Sequence, residues 1–414
     1  MEKSSFAAGG QGSSVLDVSL VLVNGVMLTA LIPSLYLPLS LLLLVTALAE
    51  HQQALSAGLL VLVLVLQPRR PRHEEGGQDL AREFRGYNIL MICIAILAVD
   101  FPVFPRRFCK TETYGVSLMD VGTGTTVVAS ALSSQLATSS TLRKTRTTAF
   151  RGLHVVLLAF ARLAATKVVG YHEHASEYGS HWNFFATLCG VWALVAAARR
   201  LQLAVGRVGL VFVLCAAAAF FEVLLARGLA FFILHAARES DPAAVGVLSW
   251  FARHNREGLV SVWTHALVYL LAALLAGLIG PRMPFSRLLA ASALCLSAHT
   301  LADANLGGTS RRLGNLPYIL LVAGISYLLL ATFRLCSLTT ARARGPSLLS
   351  QLGKQSLPVF LAANVLTGAV NLGAPLLFGL HTHQVTSPAS SLSVLSLYLL
   401  LLCGGARLFS YSNV

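Results

Sequence analysis

The residues best suited to chemistry lie in four short polar segments set between long apolar ones. The first is AVDFPVFPRRFCKTETYGVSLMD, from Ala98 to Asp120. Asp100 closes an apolar run, and Pro102 and Pro105 then stop the helix, because proline lacks the amide donor and clashes with the preceding turn. Arg106, Arg107, Lys110, Glu112, Tyr114 and Asp120 follow. A carboxylate at membrane depth is costly unless it is paired or faces water, which makes Asp100 a functional candidate. The structural alternative is an ion pair from Asp100 to Arg107 or Lys110 that merely holds the helix end.

The second segment is VGYHEHASEYGSHWNFF, Val169 to Phe185. His172, Glu173, His174, Glu177 and His181 crowd together, with Tyr178, Trp182 and Asn183 beside them. The spacing falls short of a metal-ligand pattern, so no metal is expected. Hydrogen bonding to a polar headgroup fits better, and the bland alternative is a solvated loop with Tyr171, Tyr178 and Trp182 anchored at the interface. The third segment is Asn255, Arg256, Glu257 and Gly258, and the fourth is Ser310, Arg311, Arg312, Leu313, Gly314 and Asn315. Adjacent arginines grip phosphate with paired donors, or else snorkel to lipid headgroups.

These segments need a scaffold, and the composition says which. Of 414 residues, 56% are hydrophobic and 12% charged, against about 25% charged in soluble domains. A spanning helix needs roughly 20 mostly apolar residues. Such stretches recur near 19–33, 35–50, 55–66, 88–104, 122–138, 152–170, 183–198, 210–236, 259–280, 288–302, 316–336, 357–379 and 391–408. The expected architecture is all-α: a polytopic transmembrane helix bundle of 12–13 spans over residues 19–414, one domain behind a polar tail at 1–18. The first three spans are short and could be two longer, tilted helices. The tail lacks the short apolar core of a cleavable signal. Seven cysteines, mostly inside apolar runs and without CxxC spacing, point away from disulfides and zinc.

The net charge of +14 sits in short loops. Without interleaved aromatics it reads as topology and not as a nucleic-acid surface. Segments 139–151, 199–209, 281–287 and 334–354 carry thirteen basic residues and no acidic one. They are separated by even numbers of spans, so they share a face, the cytosolic one by the positive-inside rule. All four chemical segments then fall on the opposite, lumenal face.

The segments resemble the GPI inositol-acyltransferase family, phosphatidylinositol-glycan class W and its fungal wall-transfer relatives. LAVDFPVFPRRFCKTETYGVSLMD, GYHEHASEYGSHWNFF, NREG and SRRLGNLPY occur in the family's order, over about residues 88–330. The beginning of the chain is shorter and more divergent, and His172 stands where a glutamine is expected. Cys109 replaces a small apolar residue, which argues against Cys109 as an acyl-enzyme nucleophile.

The resemblance implies an enzyme of the endoplasmic reticulum membrane. It would move a palmitoyl group from palmitoyl-CoA, the co-substrate, to the inositol 2-hydroxyl of glucosaminyl-phosphatidylinositol, with no permanently bound cofactor. Its catalytic aspartate and lysine fall on Asp100 and Lys110. Arg106, Arg107, Arg311 and Arg312 become candidates for the phosphates of lipid or CoA. His174, Glu177, His181 and Asn183 become candidates for sugar hydroxyls, with Glu112, Tyr114, Asp120, Tyr178, Trp182, Asn255, Arg256 and Asn315 completing the expected substrate-binding set. Two other readings compete. A lipid transporter or scramblase would show two similar halves, and no such symmetry is visible. A non-catalytic subunit of a GPI-processing complex would have no need of Asp100 and Lys110 together.

Overall fold

The computed structural model describes residues 6, 8–33, 35–65, 76–137, 154–164, 175–238, 246–339, 347–378 and 380–411. In chain order the elements are β1 (Ala8–Gly10), α1 (Val15–Leu31), α2 (Leu37–Val45), α3 (Gln52–Val65), α4 (Gly77–Ala98), β2 (Lys110–Thr111), α5 (Leu118–Ala137) and α6 (His154–Ala164). Then come α7 (Ala175–Tyr178), α8 (Phe184–Leu224), α9 (Ala230–His235), α10 (Val247–His254), α11 (Arg256–Ile279), α12 (Phe285–Asn305), α13 (Leu316–Thr339), α14 (Leu348–Lys354), α15 (Ser356–Phe378) and α16 (Pro388–Tyr411).

Six helices among the described residues are long and apolar enough to cross a membrane, or up to seven if α2 and α3, bent by 81° at their junction, make one broken span. The architecture is therefore a polytopic helix bundle, and among the described residues six or seven of the expected 12–13 spans have the length and apolarity to cross. The spans expected at 183–198 and 210–236 lie in one helical run, Phe184–His235, whose helices join across kinks at Gly206 and Gly228 with no loop between them. The 41-residue α8 would be about 60 Å long if straight, twice the ~30 Å hydrocarbon core. Gly206 breaks it, with φ 72° and ψ −179°, a conformation closed to L side chains. The break lies beside Arg199, Arg200 and Arg207, where the sequence predicts a loop. The span expected at 88–104 begins at Gly77, because a polar first half carrying Asp79, Arg82, Glu83 and Arg85 continues the helix.

Helix α13 is apolar all round and 83% of its apolar window is buried, so it is central, whereas only 17% of the window in Phe184–His235 is buried. Helices α4 and α5 are tied by polar bonds inside the bundle. The Asn88 amide donates to Thr126 Oγ1 at 2.9 Å, and Thr125 Oγ1 donates to Asn88 Oδ1. Such interhelical bonds average ~0.6 kcal/mol in membranes, and they fix register more than they stabilise.

Contacts sort the ends of the helices into two groups. At one end Gly77 N donates to Pro281 O, Arg334 donates to Arg282 O, Ser347 Oγ donates to Glu83 and Arg199 donates to Ser134. The described part of the basic segments gathers there; residues 139–151 and 340–346 lie outside the described residues. At the other end, residues 99–117, 175–183, 254–258, 306–316 and 380–388 meet, and these carry the candidate chemistry.

Candidate functional site

Asp100 sits one residue beyond the C-cap of α4 and is 5% exposed. The last carbonyls of a helix have no intrahelical partner. Here Arg106 supplies one: its guanidinium donates to the carbonyls of Val99, Phe101 and Phe104 at 2.8–3.0 Å, and to Phe6 O. Pro102 and Pro105 turn the chain back so that Arg106 can reach. Burial lowers the Arg106 pKa, and the nearby charges of Cys109 and Asp100 oppose this. The Asp100 carboxylate accepts from Asn371 Nδ2 at 2.7 Å, and Asn371 Oδ1 in turn accepts from Thr382 at 3.1 Å.

The cations proposed as structural partners of Asp100 are engaged elsewhere. Arg107 donates to Asp17 at 2.9 Å, to Glu50, and to Ala49 O at 3.0 Å. It lines an open cleft of about 450 Å³ with Ser14, Asp17, Ala49 and Glu50. Lys110 donates to Glu177 on α7 at 2.5 Å. Burial alone would raise the Glu177 carboxyl, but Lys110, then Arg311, hold it below the ordinary carboxylate range. Burial of the neighbouring Tyr178 raises its phenol, and Glu177 adds to that. The Cys109 thiol is 1% exposed and raised by burial, the opposite of an activated thiolate.

Lys110 is placed by strand pairing. β1 pairs in parallel with β2, Ala8 opposite Lys110 and Gly10 opposite Thr111, and Ser13 bridges Val116. The polar tail is thus partly a strand laid over the Lys110 loop. Gly10 permits this: a Cβ there would lie 2.9 Å from the carbonyl oxygens of both Arg106 and Cys109. Phe6 completes the cover, with the Arg106 guanidinium 4.2 Å above its ring.

Asp120, 1% exposed, ties the first and fourth segments together. It accepts from Arg311 Nε at 2.7 Å, Ser117 Oγ at 2.8 Å and Thr111 Oγ1 at 2.9 Å. Burial would lower the Arg311 pKa, but Asp120 and Glu177 more than reverse this and raise it. The loops also zip through backbone: Gly115 N donates to Thr309 O, Ser310 Oγ to Thr113 O, and Arg312 to Glu112 O at 3.4 Å. Tyr114, on the same loop, is 43% exposed.

Three asparagines of the expected set hold loops. Asn183 caps α8 by accepting from Phe185 N and Ala186 N, and donates to Ala159 O. Asn255 accepts from His181 N and donates to Phe251 O. Asn315 accepts from Ser310 N and donates to Gly308 O. The His181 ring lies 5.2 Å from Trp250, and Trp182 donates to Thr187 at 3.0 Å while packing on Phe251. His174, with His172, lies outside the described residues. Among the described residues no three metal-ligating side chains converge.

Arg256 and Arg312 belong to a separate centre. Glu257, 2% exposed, accepts from Arg312 at 2.9 Å and from Arg238 at 2.8 Å, with Arg256 Nε at 3.5 Å. Sequence reasoning missed Arg238 and Asn371. Asn371 carried a signal, since it is one of two amides, with Asn364, inside an apolar span. Arg238 sat in a mixed-charge loop, and nothing in its spacing marked it.

A family profile described as GWT1 matches residues 1–409. The chain is 32% identical over 341 residues to GPI-anchored wall transfer protein 1 of Schizosaccharomyces pombe, covering 77% of this chain and 70% of that protein. It is 28% identical over 385 residues to the phosphatidylinositol-glycan biosynthesis class W protein of Dictyostelium discoideum, covering 80% and 74%. It is also 32% identical over 375 residues to an uncharacterised protein of Arabidopsis thaliana, covering 86% and 81%.

Proposed function

Given that the chain belongs to the GWT1 family, whose relatives named above carry GPI-anchor and phosphatidylinositol-glycan names, we propose that it is an O-acyltransferase of GPI-anchor biosynthesis. It transfers a fatty acyl group, palmitoyl, from acyl-CoA to the inositol 2-hydroxyl of glucosaminyl-phosphatidylinositol, in the endoplasmic reticulum membrane. The observation that carries this reading is the separation of partners in one proline-broken segment. The buried Asp100 carboxylate accepts from the Asn371 amide and Lys110 pairs with a different carboxylate, Glu177.

A hydroxyl attacks a thioester only as its proton leaves. Asp100 takes that proton, the inositol oxygen bonds to the acyl carbon, and the C–S bond breaks. The departing thiolate recovers the proton and leaves as CoA. Negative charge grows on the acyl oxygen during attack, and a cation placed there contributes ~10²–10³ in rate. Lys110 serves this role, positioned by its ion pair with Glu177. Direct transfer needs no acyl-enzyme, in keeping with the buried Cys109. Arg311, Tyr114, Glu112 and His181 border the same loops and would contact the headgroup.

The test uses purified full-length protein, acyl-labelled palmitoyl-CoA and glucosaminyl-phosphatidylinositol. Label in the lipid product, lost with Asp100→Asn, is the expected result. Folded wild-type protein that transfers no label would overturn the reading in favour of a scaffold or lipid transporter.

A further inference from the structure

We propose that Arg238, Arg256 and Arg312 form a phosphate-binding site, separate from the Asp100 and Lys110 loop centre, in which Glu257 holds the arginines ready for the ligand. The electrostatics carry it. One carboxylate oxygen, Glu257 Oε1, serves Arg238 and Arg312 as hydrogen-bond acceptor and Arg256 as ion partner. Among the described residues Glu257 is the only carboxylate within ion-pair distance of Arg256 or Arg312. Arg256 is 5% exposed, yet its Nε and Nη1 have no hydrogen-bond partner, and neither has Arg312 Nε. Arg256 and Arg312 are buried cations that share this one carboxylate, so the desolvation of one charge is left without an opposite charge to offset it. Unpaired N–H groups add to the cost.

An anion with several oxygens removes both deficits. A phosphate has the charge and the acceptors, and guanidinium forks fit it with paired bonds. Four further neighbours shape the site and bring no charge of their own. They are the carbonyls of His254, Ile233 and Glu112, and the Phe232 ring 5.4 Å from Arg256. Arg238, with 22% of its side chain exposed, marks the open edge.

The other arginines suit phosphate less well. Arg106 is taken up by backbone carbonyls, and the Arg107 cleft holds two carboxylates against one guanidinium. Arg311 is neutralised by Asp120. The inference rests on the acyltransferase reading only for the source of the phosphate, either the nucleotide end of an acyl-CoA or the phosphodiester of an inositol lipid.

The experiment measures binding by the full-length protein of two probes, adenosine 3′,5′-bisphosphate in solution and phosphatidylinositol in nanodiscs, by calorimetric titration. Wild-type protein is expected to bind at least one of them. The probe that binds identifies the source. Arg238→Gln, at the exposed edge, and Arg312→Lys, which keeps charge but loses the fork, should each weaken binding about tenfold or more. Acyl transfer is measured on the same preparations. Arginine-dependent binding without any transfer by wild type would remove the acyltransferase reading and leave the site. Binding of neither probe, or binding unchanged within about twofold in both folded variants, would overturn the site whatever the transfer assay shows.

Discussion

Replacing Asp100 by asparagine separates the chemical role of this carboxylate from its structural one. Asparagine is isosteric, and its carbonyl can still accept from Asn371 Nδ2, now 2.7 Å from the carboxylate. A charge-assisted bond worth ~1.5–3 kcal/mol becomes a neutral one worth ~0.5–1.5, so the expected loss of stability is about 1–2 kcal/mol. The proton acceptor, by contrast, is gone. General-base catalysis contributes about 10²–10⁴ in rate, or roughly 3–5 kcal/mol of barrier. Asp100→Asn should therefore lose label transfer by that factor while eluting as a folded protein with a slightly lower melting temperature. Asn371→Ala is the companion: it leaves the carboxylate and removes its buried donor, so it should cost stability at least comparably and activity far less. Initial rates are compared at equal amounts of folded protein. Transfer by Asp100→Asn within about tenfold of wild type would fall below the range for a base and refute its assignment.

Lys110→Ala should reduce transfer by about 10²–10³, with Lys110→Arg retaining part of it, as expected for a cation at the acyl oxygen; equal rates would remove Lys110 from the reaction. Glu257→Gln leaves buried arginines without their carboxylate and should destabilise by ~3–5 kcal/mol, read as a fall in melting temperature that a bound phosphate ligand partly restores. Gly10→Val would place side-chain atoms against the Arg106 and Cys109 carbonyls, and should unseat β1, expose the N-terminus to protease and slow transfer without unfolding the bundle. The Glu177 carboxyl is held low by Lys110 and Arg311. A lowered folded-state value means its stabilisation is complete above the unfolded value, about 4.3, and disappears only as pH falls below that range. Melting temperature followed downward from pH 6 should show this loss in wild type and not in Glu177→Gln.

The bundle was legible because apolar length is a strong signal, and the spans from α11 onward fall within a few residues of their expected limits. The failures have physical causes. The break expected within 199–209 is there, but as a kink at Gly206 and not a loop, because arginine is a good helix former and the helix runs on through Arg199 and Arg200. The start of α4 was missed because its polar residues look like loop, although Glu83 is buried and bound by Ser347. The polar tail seemed detached because glycine and serine carry no periodicity, yet Gly10 is what lets β1 lie over the Lys110 loop. Asp100, Lys110 and the arginine pair were readable as types in a pattern. Their partners lie elsewhere in the chain, Asn371 271 residues from Asp100 and Glu177 67 residues from Lys110, and pairing at such separations leaves no local mark.

The choice of partners bears on how the two reacting groups can work together. Had Asp100 and Lys110 paired with each other, each would have cancelled the other's charge, and substrate would have had to break the pair. Here the Asp100 carboxylate accepts from an amide on α15, and Lys110 meets a carboxylate on α7, so the two are tied to different helices. The arginine cluster bears on the Lys110 loop as well. Arg312 reaches from Glu257 to the carbonyl of Glu112, two residues beyond Lys110. A phosphate taken between Arg256 and Arg312 would thus act on the strand that carries the cation. That would tie occupancy of one end of the substrate to the placement of Lys110 at the other.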